Sequence, residues 1–269
     1  VLDAGLHNTM TTTFDTSIAY TYGSVIEVAY RLFKPGVLDP TVAGGQLPSG
    51  WTLLTGLTAI DKVARKTEPE FFGLVVQSAA DNSVLVAIRG TDTLLEWLID
   101  AEFTPRAFQG APGAGLVEDG FASVYDTLTC TRTGSNVLSL AKQLPAGTKV
   151  TIAGHSLGAA VATLLAADIG ANVPGLDLTL YTYAPPRVGD ETFVKFFEAH
   201  VPVNFRIVNR PDIVPRLPPL YDAVGNEIDF DSTTSPAVAH SLACYHTLTT
   251  YLWLLNQQSS FGLGTCNRS

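Results

Sequence analysis

Basic residues are scarce and nowhere clustered: Lys and Arg number 16 against 25 Asp and Glu, a net charge of −9. A chain with no basic stripe does not suit a nucleic-acid partner. Charged residues of both signs make up only 15% of the sequence, and its 269 residues are ample for a full α/β core. Long apolar runs are missing as well. None approaches the roughly eighteen residues of a membrane span, so a soluble chain with no transmembrane segment is expected. Cysteine is sparse, and Cys130, Cys244 and Cys266 lack the spacing of a metal site. They allow one disulfide with a free thiol, or three reduced thiols; Cys244 and Cys266, both near the C-terminal end, could close a loop. No internal repeat, low-complexity tract or linker divides the sequence, so residues 1–269 read as a single domain, assumed monomeric. The first residue is Val1 rather than methionine, which fits a processed end as well as a truncated one; a secreted protein is the expectation.

What is present centres on one stretch, Val150-Thr151-Ile152-Ala153-Gly154-His155-Ser156-Leu157-Gly158. A run of strand formers meets Gly-x-Ser-x-Gly, and a small-residue helical segment follows from Val161 to Asp168. Strand, sharp turn and helix are the context of a nucleophile elbow. There the serine takes a strained backbone conformation that lifts its hydroxyl clear of the sheet, and the two glycines remove side chains that would collide. Free N–H groups at the helix start then face the hydroxyl.

Around this stretch the elements follow from periodicity. Phe14 to Phe33 reads as a helix with Ile18, Tyr22, Val25, Ala29 and Leu32 on its apolar face, ended by Pro35-Gly36. Trp51 to Ile60 alternates like a strand, and Phe71 to Ser78 and Ser83 to Arg89 form a strand pair across Ala80-Asp81-Asn82. Thr93 to Asp100 is a short helix candidate. A Gly/Pro loop at Gln109 to Gly115 precedes a long helix from Phe121 towards Leu144, with an interruption expected at Gly134. Strand Leu178 to Tyr183, helix Glu191 to His200, strand Val203 to Val208, a proline-rich loop and helix Leu248 to Leu255 complete the chain. Strands alternating with helices after Gly147 imply an α/β fold: a mainly parallel central sheet with helices on both faces.

Serine needs a base, usually a histidine oriented by a carboxylate. In hydrolases of this sheet type the order is serine, acid, histidine. Asp212 follows the strand run Val203 to Val208, at the edge where sites in such sheets collect. Of five histidines, His7 lies before the core, His155 adjoins the serine and should pack beneath the elbow, and His200 precedes the acid. His240 and His246 remain, in near-repeated strings. His246, directly before the last helix, is favoured; His240 is the alternative base.

The motifs Gly154-His155-Ser156-Leu157-Gly158, Ile88-Arg89-Gly90-Thr91, Tyr183-Ala184-Pro185-Pro186-Arg187-Val188-Gly189 and Asn209-x-x-Asp212-x-Val214-Pro215 together resemble the class 3 lipases, a family of filamentous-fungal lipases with plant and bacterial relatives and feruloyl esterases. The resemblance spans roughly Phe71 to Leu255. It implies an α/β-hydrolase fold with a Ser156–Asp212–His triad, and an oxyanion hole from Thr91 (backbone N–H and hydroxyl) and the N–H of Leu157. It also implies a short amphipathic lid over Asp92 to Asp100, with Leu94, Leu95, Trp97 and Leu98 as its apolar, substrate-facing positions. One departure is Val117-Glu118-Asp119-Gly120-Phe121, where the family often has Val-His-x-Gly-Phe.

The implied chemistry is acyl transfer to water, needing no metal or organic cofactor. The expected substrate is a triacylglycerol or other lipid ester met at a lipid–water interface. A soluble or feruloyl-type esterase is the alternative, against which the apolar lid residues argue. A catalytically silent binding protein is a third reading, and the retained triad residues argue against that one.

Overall fold

The computed structural model describes residues 13–91 and 103–268. Helix α1 (Thr16–Leu32) is started by Asp15, whose carboxylate accepts the N–H groups of Ser17 and Ile18 at 2.8 and 3.0 Å. Its buried face differs from the expected one. Ala19, Gly23, Val25, Ile26 and Ala29 turn inward, whereas Ile18 is 44% exposed. The small residues decide this: a Cβ on Gly23 would come within 2.7 Å of the Leu252 side chain, so the helix crosses its neighbour at Gly23 and turns Ile18 outward.

Three strands follow, β1 (Trp51–Ala59), β2 (Glu70–Ser78) and β3 (Val84–Ile88), paired antiparallel in sequence order. Beyond them β4 (Pro105–Ala107) and β5 (Leu116–Glu118) form a small separate ribbon. The long helix expected from Phe121 is three pieces instead: α2 (Asp119–Tyr125), a two-residue strand β6 (Thr129–Cys130) and α3 (Val137–Ala141). The break has a local cause. The Thr127 hydroxyl donates to the Val124 carbonyl and accepts the N–H of Ile60, both at 2.9 Å, and β6 then pairs with β1 while Gly134 turns at φ +67°. Thr127, Thr129 and Thr131 all prefer extended or capping roles to helix.

From there the alternation runs as expected: β7 (Lys149–His155), α4 (Leu157–Asn172), β8 (Asp177–Tyr183), α5 (Glu191–His200) and β9 (Asn204–Asn209). A further strand, β10 (Glu227–Phe230), pairs parallel with β9 inside the segment read as a proline-rich loop. Two helices, α6 (Leu242–His246) and α7 (Leu248–Leu255), come last.

The main sheet has the order β10-β9-β8-β7-β3-β2-β1-β6, parallel from β10 through β3. Its central strand β3 is apolar on both sides because both faces are covered there. Val84, Val86 and Ile88 face the layer of α2 to α5, and Leu85 and Ala87 face α1 and α7. Helix α4 is buried without interruption from Leu157 to Ile169, so it is the central helix of the first layer.

Register brings the carboxyl ends of adjacent strands level. Ile88 lies opposite Gly154, His155 opposite Tyr183, and Tyr183 opposite Ile207. The loops carrying Thr91, Ser156 and Asp212 therefore leave one edge of the sheet.

Candidate active site

Between β7 and α4 the chain turns at Ser156, which has φ +59° and ψ −126°, a region a residue with a side chain rarely occupies. Its N–H donates to the Tyr183 carbonyl at 2.9 Å, which ties the turn to β8. Both glycines of the pentad are required by backbone contact. A Cβ on Gly154 would collide with the Gly158 carbonyl, and one on Gly158 with the carbonyls of Ile88 and Arg89. Gly90 is pressed likewise; a Cβ there would lie 2.9 Å from that of Ser156. Three backbone segments meet at this point with no space for a methyl group.

The Ser156 Oγ lies 2.7 Å from Nε2 of His246, and Nδ1 of His246 lies 2.8 Å from Oδ2 of Asp212. Since a carboxylate only accepts, Nδ1 carries the proton and Nε2 accepts from the serine hydroxyl. Asp212 is buried and well supplied with donors. Its Oδ1 accepts the N–H of Val214 at 3.0 Å, and its Oδ2 also accepts the hydroxyl of Tyr251 at 2.8 Å. Tyr251 in turn accepts the N–H of Asn209 at 3.1 Å. His246 ends α6 immediately before α7, and the Cys244–Cys266 disulfide fastens that corner. Cys130 is a free, buried thiol whose pKa burial pushes up.

His155 packs beneath the serine. Its Nε2 faces the His246 carbonyl at 2.8 Å, so Nε2 carries the proton and donates. Its Nδ1 then accepts from the Tyr30 hydroxyl at 2.8 Å, and that oxygen accepts the N–H of Gly90 at 2.7 Å. Burial, reinforced by the neighbouring His246, drives the His155 pKa well below its usual value and keeps the ring neutral. This chain of bonds links the strand end before Thr91, the elbow and the backbone of His246.

His240 stands apart, exposed against Tyr245 with 6.0 Å between ring centres. Thr91 and His246 line a cleft of about 390 Å³ with Tyr30, His155, Glu27 and Leu248. Burial raises the pKa of Glu27, and Arg31, 2.9 Å away, opposes that rise. Leu157 opens α4, and the N–H groups of a first helical turn have no acceptor within the helix. Leu94, Leu95, Trp97 and Leu98, the expected lid positions, lie outside the described residues. Glu118, where a histidine is common in the resembled family, caps α2 by accepting the N–H of Phe121 at 2.8 Å.

Sequence reasoning assigned no role to Tyr251 or Tyr30 and named Asn209 only within a motif. A tyrosine inside the otherwise apolar Leu248–Leu255 helix was the available signal, because a buried hydroxyl needs a partner. Among the described residues no helix is long and apolar enough to cross a membrane, and no group of His, Cys, Asp and Glu could hold a metal ion.

Known proteins resemble this chain to different extents. The chain is 36% identical over 224 residues to phospholipase A1-II 4 of Oryza sativa subsp. japonica, covering 68% of this chain and 56% of that protein. It thus spans about half the length of the plant relatives it matches. Secreted mono- and diacylglycerol lipase 1 of Fusarium solani is 29% identical over 237 residues, covering 83% of this chain and 68% of that one. The solved Rhizomucor miehei triacylglyceride lipase superposes with a TM-score of 0.61 at 26% identity, over 79% of this chain and 78% of that one. Like those fungal lipases, the chain has the α/β-hydrolase fold. With residues 85–222 matching the family model for lipase (class 3), it belongs to the class 3 lipases.

Proposed function

We propose that this protein is a triacylglycerol lipase in which Ser156 is the nucleophile, His246 the general base and Asp212 its orienting carboxylate. The observation that carries the reading is the continuous hydrogen-bond chain from Ser156 Oγ through the His246 ring to Asp212. In this mechanism the serine oxygen attacks an ester carbonyl and its proton passes to Nε2. The tetrahedral oxyanion is received by the N–H of Leu157 and by Thr91. Collapse expels the alcohol, protonated by His246, and water then repeats the sequence on the acyl-enzyme. Asp212 holds the ring and offsets the charge of the imidazolium.

The described elements of both layers pack on one sheet, which supports reading the chain as one catalytic domain. Secretion is the matching location. The disulfide suits an oxidising compartment, and the Fusarium relative is named as secreted.

A fluorophosphonate probe with site-directed variants tests the assignment. Wild-type protein should be labelled at Ser156, and Ser156→Ala should abolish both labelling and ester hydrolysis while remaining folded. His246→Ala should lower kcat by roughly 10⁴-fold or more. His240→Ala, an exposed position, should change it by about twofold at most. Loss of activity in His240→Ala with retention in His246→Ala would reverse the choice of base.

Phospholipid is the second substrate reading, favoured by the identity to the rice phospholipase A1. Initial rates on emulsified triglyceride and on phosphatidylcholine vesicles separate the two. The interfacial part of the proposal rests on the sequence of residues 93–99, where Leu94, Trp97 and Leu98 fall at i, i+3 and i+4. Specific activity on a sparingly soluble ester should rise as it passes its solubility limit, and rise less in Trp97→Ser. Smooth saturation through that limit, the same in both proteins, would make this a soluble esterase.

A further inference from the structure

We propose that an arginine-lined cavity at the β9–β10 edge binds an oxyanion of the phosphate type. The cavity, about 450 Å³, shares no lining residue with the cleft at Thr91 and His246. Among the described residues its charged walls are Arg187, Arg206, Arg210 and Arg216, set against two carboxylates, Glu227 and Asp229. Both carboxylates are already engaged. Glu227 is ion-paired with Arg206, and Asp229 with Nε of Arg210 at 2.6 Å.

That leaves Arg187 and Arg216. Nη1 of Arg187 donates to the Tyr221 carbonyl at 3.2 Å, and Nη2 of Arg216 to the Arg210 carbonyl at 2.8 Å. Carbonyls satisfy hydrogen bonds but cancel no net charge. Nε of Arg187 is buried and has no partner among the described residues. A protein of net charge −9 has acids to spare, yet this cavity holds two guanidinium charges with no carboxylate counter-charge among the described residues.

Bringing like charges together at the wall of a cavity is unfavourable unless an anion enters it. Guanidinium groups present planar forks of donors that match phosphate oxygens bidentately. A cation would be repelled here. The volume exceeds what a bare phosphate needs, so a phosphate ester fits the same chemistry. Arg210 and Arg216 flank Asp212 in sequence, which places the bound anion against the loop that also positions the acid of the active site. The proposal uses no residue of the esterase mechanism, so the two readings can fail separately.

Calorimetric titration of sodium phosphate into the protein, at ionic strength held constant with chloride, tests it. Wild-type protein should bind with saturation at one site. Arg216→Gln should weaken binding at least about tenfold, the size of one charge-assisted hydrogen bond. Asp229→Asn should tighten binding several-fold, because it releases Arg210 and removes a repelling charge. The two variants move in opposite directions, so a folding defect in either leaves the other decisive.

Sedimentation with ether-linked phosphatidylcholine vesicles, with and without ether-linked phosphatidic acid, separates the possible sources of the phosphate. Capture that requires phosphatidic acid and is displaced by free phosphate assigns a lipid headgroup; saturable titration without capture assigns a soluble phosphate. Absence of saturable binding, or one affinity shared by wild type and both variants, overturns the site.

Discussion

Asp212 accepts three hydrogen bonds in a buried position: from His246, from the Val214 backbone and from Tyr251. Each removes some of the cost of holding a carboxylate away from water. In the proposed triad the tyrosine is a positioning residue, because its hydroxyl bonds the carboxylate of Asp212. Tyr251→Phe keeps the ring and its packing while leaving one lone pair of Asp212 without a donor. A hydrogen bond to a charged group contributes about 1.5–3 kcal/mol. If that loss falls on the transition state, kcat should drop roughly 10- to 100-fold with KM little changed. Steady-state kinetics on a soluble p-nitrophenyl ester read this directly; an unchanged kcat would mean that Val214 and His246 alone suffice to hold the carboxylate. The sequence displayed Ser156 and Asp212 because their motifs are local. It favoured His246 and kept His240 as the alternative, because the partner of Ser156 is chosen by tertiary contact, which the near-repeated flanking strings do not encode.

The corner formed by α6 and α7 carries His246 at its centre, and the disulfide from Cys244 to Cys266 closes a loop over a sequence separation of 22. By the chain-entropy estimate such a closure contributes about 3 kcal/mol. Reduction should therefore lower the thermal midpoint by roughly 6–12 °C. Calorimetry with and without a reductant checks this, and a midpoint unmoved by reduction would mean that the terminal segment holds without its link. How well each element could be read follows from what stabilises it. Helix Glu191–His200 has the bounds that the sequence suggested because the Asp190 cap and the apolar periodicity agree there, and Leu248–Leu255 has them because its run of apolar residues is compact. The elbow strand and helix were equally plain. The stretch after Phe121 was not: its periodicity suits a helix, but pairing of Thr129-Cys130 with β1 outweighs it. Strand Glu227–Phe230 escaped notice because it is four residues long, half polar, and set by parallel pairing with β9. The inward turn of α1 at Gly23 needed the position of Leu252, more than two hundred residues away in sequence.

Three parts of the molecule converge on His155: α1 through Tyr30, β7 through its own backbone, and the segment of His246 through that residue's carbonyl. The ring is neutral when folded because burial, with His246 adding to it, depresses its pKa well below the usual value. The unfolded chain binds a proton there near pH 6.5. As pH falls through that value the unfolded state gains a proton that the folded state refuses, so the stability this residue contributes is present above about pH 6.5 and is lost towards the folded pKa. Glu27 and Glu118 act in the opposite direction. Burial raises both carboxyl pKa values, so their contribution is full below the ordinary carboxylate value and fades as pH rises through the folded ones. The wild-type profile mixes the two signs, and a difference between proteins isolates one. His155→Gln can keep a donor towards His246 and an acceptor towards Tyr30 without a proton to bind. Between pH 6.5 and 5.5 the wild type should lose up to about 1 kcal/mol more than the variant, because the unfolded imidazole goes from half to roughly nine-tenths protonated over that interval. Urea unfolding at several pH values measures it, and parallel profiles for the two proteins would show that His155 is not the group through which acid unfolds the molecule.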